Sequence, residues 1–244
     1  MKTYGLIGRN ISYSFSRKYF SDKFQAENID AVYRNFDLKD LDELKAILEQ
    51  HNDIAGFNVT IPYKELIIPY LDELHPVARK IGAVNTIKIG EGGKLIGFNT
   101  DYFGFINSLK PLLNENHSHA LILGTGGASK AVAYGLDQLG IKYKFVSRNL
   151  GNGLLSYSSL GAPEFSTYSL IINCTPLGTY PNIASHPPIP VNYFTSRHVV
   201  FDLIYNPPVT KLMQRAQQNG AIVKNGYQML ELQAQKSWEI WNSL

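Results

Sequence analysis

Leu121-Ile122-Leu123-Gly124-Thr125-Gly126-Gly127-Ala128-Ser129-Lys130-Ala131 opens on an apolar run, turns on glycines and closes in helix-forming residues. Its pattern is G-x-G-G-A-x-x-A. Strand, glycine turn and helix, in that order, are what a doubly wound dinucleotide-binding unit requires at its first crossover. Gly124 permits the tight turn, and Gly126 lets the backbone approach a pyrophosphate. Gly127 and Ala128 place bare amides at a helix N-terminus, where a phosphate is stabilised. A plain strand-to-helix turn can carry the same glycines, so the reading rests on the flanks. Ala120–Leu123 is the continuous apolar run of a buried parallel strand. A helix follows from about Ala128 to Leu139, ended by Gly140 as a C′ glycine, and Tyr143–Ser147 gives the next strand.

The residue after that second strand selects the nucleotide. A carboxylate there accepts the ribose 2′-hydroxyl of NAD. This chain has Ser147-Arg148-Asn149 instead. Arg148 suits a 2′-phosphate, a charge-assisted contact worth about 1.5–3 kcal/mol. The reading is therefore NADP rather than NAD, against the plainer alternative of a solvent-facing arginine.

Beyond this unit, Leu170–Asn173 and Val199–Asp202 read as further strands. Lys211–Gln218 reads as a helix ended by Gly220, Ala221–Val223 as a last strand and Met229–Trp241 as a closing helix. Residues 149–167 are rich in Ser, Gly and Leu and carry no clear period. Upstream, Tyr4–Gly8, Val32–Phe36 and Ile54–Val59 read as strands. Ser16–Glu27 reads as a helix capped by Ser16. A second helix starts at Asp40 with Glu43 as its capping-box partner, and Leu41, Leu44 and Leu48 form its apolar face. Pro62 sits where a helix can begin. Ala83–Ile89 and Lys94–Phe98 form a hairpin about the glycines at 90–93.

Composition narrows the class. The chain has 244 residues, 44% apolar and 18% charged, enough for two cores and too apolar for disorder. The formal charge of +3 is spread along the chain, with no basic run, which argues against nucleic acid. Neither a signal-peptide core at the N-terminus nor a membrane-length apolar run is evident. The one cysteine, Cys174, excludes an internal disulfide. A cytoplasmic protein is expected. The histidines show no metal-ligand spacing, so no metal is expected, and Cys174 reads as an inert small residue. Trp238 and Trp241 read as core.

Polar clusters punctuate the first hundred residues: Ser14 and Ser16; Asn58, Thr60 and Lys64; Asn85 and Thr86; Asn99, Thr100 and Asp101. Hydroxyls, amides, an ammonium and a carboxylate at strand ends suit a polyhydroxylated acid. At this point the chain resembles the shikimate dehydrogenase family. The resemblance is carried by Ser14-Phe15-Ser16, the run from Gly56 to Lys64, Gly82-Ala83-Val84-Asn85-Thr86 and Gly97-Phe98-Asn99-Thr100-Asp101. It continues through the Gly124 turn, the runs Asn173 to Gly178 and Asp202 to Pro207, and Gly226 to Ala234, all in family order.

The resemblance implies that Ser14 and Ser16 hold a substrate carboxylate with Tyr205 nearby. It implies that Thr60, Asn85, Asp101 and Gln233 hold ring hydroxyls, that Lys64 and Asp101 are the catalytic pair, and that Gly226 lies near a nicotinamide. Chemistry supports Lys64 independently: an ammonium stabilises the oxyanion of a reduced ketone and gives it a proton. The implied fold is α/β with two domains, an N-terminal α/β substrate domain of residues 1–101 plus 226–244 and a Rossmann-type doubly wound NADP-binding domain of residues 102–225. The active site is expected in the cleft between them. The implied ligands are shikimate or 3-dehydroshikimate and NADP, with no nucleic acid or membrane, in a monomer or homodimer.

Tyr13 and Arg17 depart from the His and Pro usual in the family beside the two serines, and the chain is short for the family between Asn149 and Tyr168. A quinate/shikimate dehydrogenase using NAD, and a non-catalytic nucleotide- or shikimate-binding regulator, are the alternatives. Arg148 counts against the first, and Lys64 together with Asp101 against the second.

Overall fold

Short apolar runs separated by amphipathic helices bury their apolar faces as two layered units, Met1–Asp101 with Gln233–Leu244, and Tyr102–Leu232. The computed structural model describes residues 1–12, 14–149, 151 and 153–243. Tyr13, the departure beside Ser14, lies outside the described residues, as do Leu150 and Asn152 of the segment that the sequence left unassigned.

The first unit runs β1 (Lys2–Gly8), α1 (Phe15–Ala26), β2 (Ala31–Asp37), α2 (Glu43–Gln50), β3 (Ile54–Val59), α3 (Tyr63–Leu66), β4 (Glu73–Leu74), α4 (Pro76–Ile81), β5 (Thr86–Ile89) and β6 (Leu95–Phe98). Its sheet has the order β2-β1-β3-β5-β6-β4. β1 pairs in parallel with both β2 and β3, while β5 runs antiparallel to β3 and β6. The sheet is thus mixed, with the hairpin read at residues 83–98 supplying its antiparallel pairs and β4 running parallel to β6 at the edge. Apolar clusters form on both faces. Ile7, Phe57, Tyr63 and Ile87 lie in one, and Tyr4, Phe20, Phe24 and Trp241 in the other. Trp241 is buried and donates its indole N–H to the Ile87 carbonyl at 2.9 Å, as expected of a core tryptophan.

Two local details differ from the sequence reading. The cap of α1 is Ser14, whose side chain accepts from the Arg17 amide; Ser16 lies inside the helix and is buried. The helix read from Asp40 becomes regular only at Glu43, whose carboxylate accepts from the Asp40 amide at 3.0 Å. The capping contact is therefore present, although a turn precedes the helix.

The second unit runs α5 (Asp101–Leu109), β7 (His119–Leu123), α6 (Gly127–Gln138), β8 (Lys142–Ser147), β9 (Leu155–Ser156), α7 (Ala162–Thr167), β10 (Leu170–Asn173), β11 (Val199–Asp202), α8 (Lys211–Gln218), β12 (Ile222–Lys224) and α9 (Tyr227–Asn242). The sheet order is β12-β11-β10-β7-β8-β9, parallel throughout. This is a doubly wound sheet whose order reverses between β7 and β10, the position where such folds bind ligands. β7, β10 and β11 are buried along almost their whole length, as a sheet covered on both faces requires. The first unit resumes inside α9, at Gln233. No described helix is long and apolar enough to cross a membrane.

Candidate active site

In the first unit, the C-terminal end of β3, the start of β5 and the end of β6 bring polar side chains together because Asn58 and Thr86 are paired across the sheet and Thr86 faces Phe98. Lys64, on the short helix after β3, donates from Nζ to Asp101 Oδ2 at 2.6 Å. The two side chains are only 17% and 7% exposed, so the ion pair is largely out of bulk water, where its attraction is less screened. The other oxygen, Asp101 Oδ1, accepts from Asn85 Nδ2 at 2.9 Å. Asn85 Nδ2 also reaches Thr100 Oγ1 at 2.9 Å and Gln233 Oε1 at 3.2 Å, while Asn85 Oδ1 accepts from the Thr100 amide at 2.7 Å. Lys64, Asn85, Asp101 and Gln233, named from the sequence, are thus one bonded group.

Ser14 spends its hydroxyl oxygen on the Arg17 amide at 3.2 Å. Burial raises the Tyr33 phenol well above its usual pKa, and Ser16 offsets part of that rise. Tyr33 donates to Asn58 Oδ1 at 2.8 Å. Thr60 follows β3, half-buried, its amide bonded to the Ile7 carbonyl at 2.9 Å.

Several members of this group carry no role in the sequence reading. Asn58, Thr86 and Thr100 are visible there only as polar clusters. Tyr33 reads as one residue of an alternating strand, and Ser237 as nothing more than part of a helix. Ser237 lies 179 residues from Asn58, to which it is bonded, and no local pattern announces such a contact.

In the second unit the glycine turn sits at the reversal point of the sheet. Gly124 has φ +101°, and its Cβ, if it had one, would press on Thr175 and the Cys174 backbone. Its amide donates to the Val146 carbonyl at 2.9 Å. Gly126 caps α6, and Gly127 and Ala128 are its first residues, so their amides lie at the end of the helix where no preceding turn exists to accept them. Arg148 is exposed just after β8; burial raises the pKa of Tyr157, and the Arg148 charge offsets part of that rise. The Gly127 and Ala128 amides, and the Arg148 guanidinium with no acidic neighbour in the sequence, are donors of the kind that the pyrophosphate and 2′-phosphate of NADP accept from.

Tyr205 and Gly226 also belong to the second unit. Tyr205 is half-buried between β11 and α8. The Gly226 amide donates to the Ile204 carbonyl at 3.0 Å, and a Cβ at Gly226 would stand 2.1 Å from the Leu203 carbonyl oxygen. Only glycine lets these two segments touch. At the end of β11, Asp202 is fully buried. Burial raises its carboxyl to about 6, partly offset by bonds from Thr210, the Ile204 amide and Asn173. Burial, with the Asp202 charge second, pushes the Cys174 thiol up, away from the thiolate that reactivity needs. No group of His, Cys, Asp and Glu among the described residues could hold a metal ion.

Residues 6–87 match the family of the shikimate dehydrogenase substrate binding domain. A shikimate dehydrogenase (NADP(+)) of Clostridium botulinum, strain Hall, is 40% identical over 252 residues, 99% of this chain and 96% of that protein. Among solved structures, a shikimate dehydrogenase in complex with NADP+ aligns with TM-score 0.89 and 33% identity, covering 100% of this chain and 91% of the other. The shikimate 5-dehydrogenase of Thermus thermophilus, in complex with NADP(H) and shikimate, aligns with TM-score 0.88 and 28% identity, covering 100% and 94%.

Proposed function

The chain belongs to the shikimate dehydrogenase family, and we propose that Lys64 and Asp101 are its proton-handling pair. It is an NADP-dependent oxidoreductase that interconverts 3-dehydroshikimate and shikimate, a step of aromatic amino acid biosynthesis. The observation that carries the residue assignment is the largely buried Lys64–Asp101 contact at 2.6 Å, with Asn85 on the second carboxylate oxygen.

Reduction of the ketone puts negative charge on its oxygen. The Lys64 ammonium stabilises that charge and gives its proton from Nζ; in the oxidative direction a neutral Nζ takes the proton from the hydroxyl. Asp101 aims Nζ through Oδ2 and is itself kept from swinging by the amide on Oδ1. Asn85, Thr60 and Gln233 bind ring hydroxyls. Ser14 and Ser16 bind the carboxylate, and Tyr205 assists them. NADP, when bound, supplies or accepts the hydride. Gly124, Gly126, Gly127 and Ala128 hold its pyrophosphate, Arg148 its 2′-phosphate, and Gly226 gives the nicotinamide room.

By the same reading, residues 1–101 with the C-terminal helix form the substrate domain and the doubly wound unit the nucleotide domain. The enzyme works in the cytoplasm as a monomer or homodimer on small molecules, without nucleic acid. The test is to mix the purified protein with shikimate and NADP and follow nicotinamide absorbance, with NAD and quinate in parallel. Fast reduction of NADP by shikimate is the expected result. Activity restricted to NAD with quinate would move the assignment to the sister dehydrogenase, and no activity with any pair would favour a regulator.

A further inference from the structure

Ser237 is fully buried on α9, one turn beyond Gln233. A helix interior gives a serine little reason to be there: alanine forms helix better and buries no hydroxyl. Its oxygen nevertheless stands within hydrogen-bond distance of four groups. It donates to the Gln233 carbonyl at 2.9 Å. Its other neighbours are Asn58 Nδ2 at 3.0 Å, Thr86 Oγ1 at 2.8 Å and Thr100 Oγ1 at 3.2 Å.

A hydroxyl has one hydrogen and two lone pairs. With its hydrogen committed to the Gln233 carbonyl, Ser237 can only accept from the rest, and the two shortest contacts, Thr86 and Asn58, fill its lone pairs. This decides where the Thr86 hydrogen points. Thr86 Oγ1 also lies 3.2 Å from Asn85 Oδ1, but a hydrogen given to Ser237 is withheld from Asn85. Asn85 Oδ1 is then left to Thr100, whose hydroxyl stands at 3.3 Å and whose amide makes the shorter contact at 2.7 Å. That contact turns the Asn85 NH2 toward Asp101 Oδ1 at 2.9 Å. Without the Ser237 hydroxyl, Thr86 is free to donate to Asn85 Oδ1, in competition with the Thr100 hydroxyl for the second lone pair, and the amide that steadies Asp101 is drawn toward Thr86 and off the direction that Thr100 gives it.

We propose that Ser237 is a positioning residue: by accepting from Asn58 and Thr86 it sets the order of donors and acceptors around Asn85, and so holds Asp101 and Lys64 in place for proton transfer. The proposal rests on Lys64 and Asp101 being the catalytic pair, as assigned above. Ser237 touches no reacting atom. It acts through Thr86 and Asn85, on the helix that also brings Gln233 to the site.

The test is steady-state kinetics of shikimate oxidation by the full chain carrying Ser237→Ala, Thr86→Val, both together, or Lys64→Ala. Ser237→Ala is expected to lower kcat about 2- to 10-fold, the range of one ordinary hydrogen bond, with the KM for NADP unchanged. Because Ser237 acts through the Thr86 hydroxyl, the double variant is expected to be no slower than Thr86→Val alone. Ser237→Cys, near in size and a weaker acceptor, is expected to fall between wild type and alanine, and it carries the test should alanine not fold. Unchanged kcat in a folded Ser237 variant, or losses that simply multiply in the double variant, would overturn the positioning role. Full turnover in Lys64→Ala would bring down the catalytic assignment and this proposal with it. Loss of turnover in Lys64→Ala beside an unaffected Ser237 variant would remove the positioning role alone.

Discussion

Each unit buries an aspartate, and the two are held in opposite ways. Asp101 in the first unit faces an ammonium, Lys64 Nζ at 2.6 Å, and an amide, Asn85 Nδ2 at 2.9 Å. Asp202 in the second is held by neutral groups: Asn173 Nδ2 at 2.9 Å, the Ile204 amide at 3.1 Å and the Thr210 hydroxyl at 2.7 Å. A carboxylate beside a side-chain cation can share in proton traffic, because its partner carries a proton to give. A carboxylate wrapped in neutral donors from three segments has no side-chain cation to trade a proton with. It ties the end of β10, the turn after β11 and the cap of α8 to one point. Burial alone therefore does not mark a catalytic acid; the partners do.

The largest expected effect removes the cation from the first of these sites. Lys64→Ala should lower kcat about 10²- to 10⁴-fold, the usual contribution of a general acid or base, with little change in the KM for NADP. Comparable kcat and a changed nucleotide KM would mean that the charged pair belongs to binding rather than to chemistry, and the contrast between the two aspartates would lose its functional half.

Next in size is the second unit's own cation. Arg148 faces solvent, with no carboxylate beside it in the sequence, and its assigned partner is the nucleotide. Arg148→Ala should raise the KM for NADP about 10- to 100-fold, the equivalent of one charge-assisted hydrogen bond, while the KM for NAD stays where it was. Equal losses for both nucleotides would show that Arg148 shapes the loop and does not read the 2′-phosphate.

The two units also differ in how far their sites can be read from sequence. The nucleotide site proposed here is built from backbone, and backbone demands leave glycines in fixed spacing: Gly124 at φ +101° is legible because few other residues tolerate that turn. The buried parallel strands β7, β10 and β11 are legible as apolar runs. In the first unit the residues proposed as catalytic are legible as types near strand ends, but their bonding is not. Ser237 and Tyr33 take part through tertiary approach, with no local period to show it. The cap of α1 is ambiguous in sequence because Ser14 and Ser16 are equally good caps, and only packing of Ser16 against Tyr33 separates them. Leu155–Ser156 and Ala162–Thr167 escape a sequence reading because elements so short have no room to display a period.

The smallest effect bears on stability and sharpens the contrast most directly. Burial raises the Asp202 carboxyl from 3.8 to about 6, so the folded chain resists ionising a group that the unfolded chain ionises freely. Its proton is retained in the folded state and lost in the unfolded state between those two values. The resulting penalty is absent below about 4, grows as pH rises toward 6 and is complete above it. Taking 1.36 kcal/mol per pKa unit, it amounts to about 3 kcal/mol at most. Asparagine copies the protonated form: its oxygen can accept from Asn173 and Ile204, and its NH2 faces a Thr210 hydroxyl able to accept. Asp202→Asn is therefore expected to raise Tm by a few degrees at pH 8, with the gain shrinking below pH 6 and vanishing near pH 4. A thermal melt series across that range reads it. A lower Tm at pH 8 would mean that the ionised carboxylate is needed to draw its three donors together, and that Asp202, like Asp101, is kept for its charge.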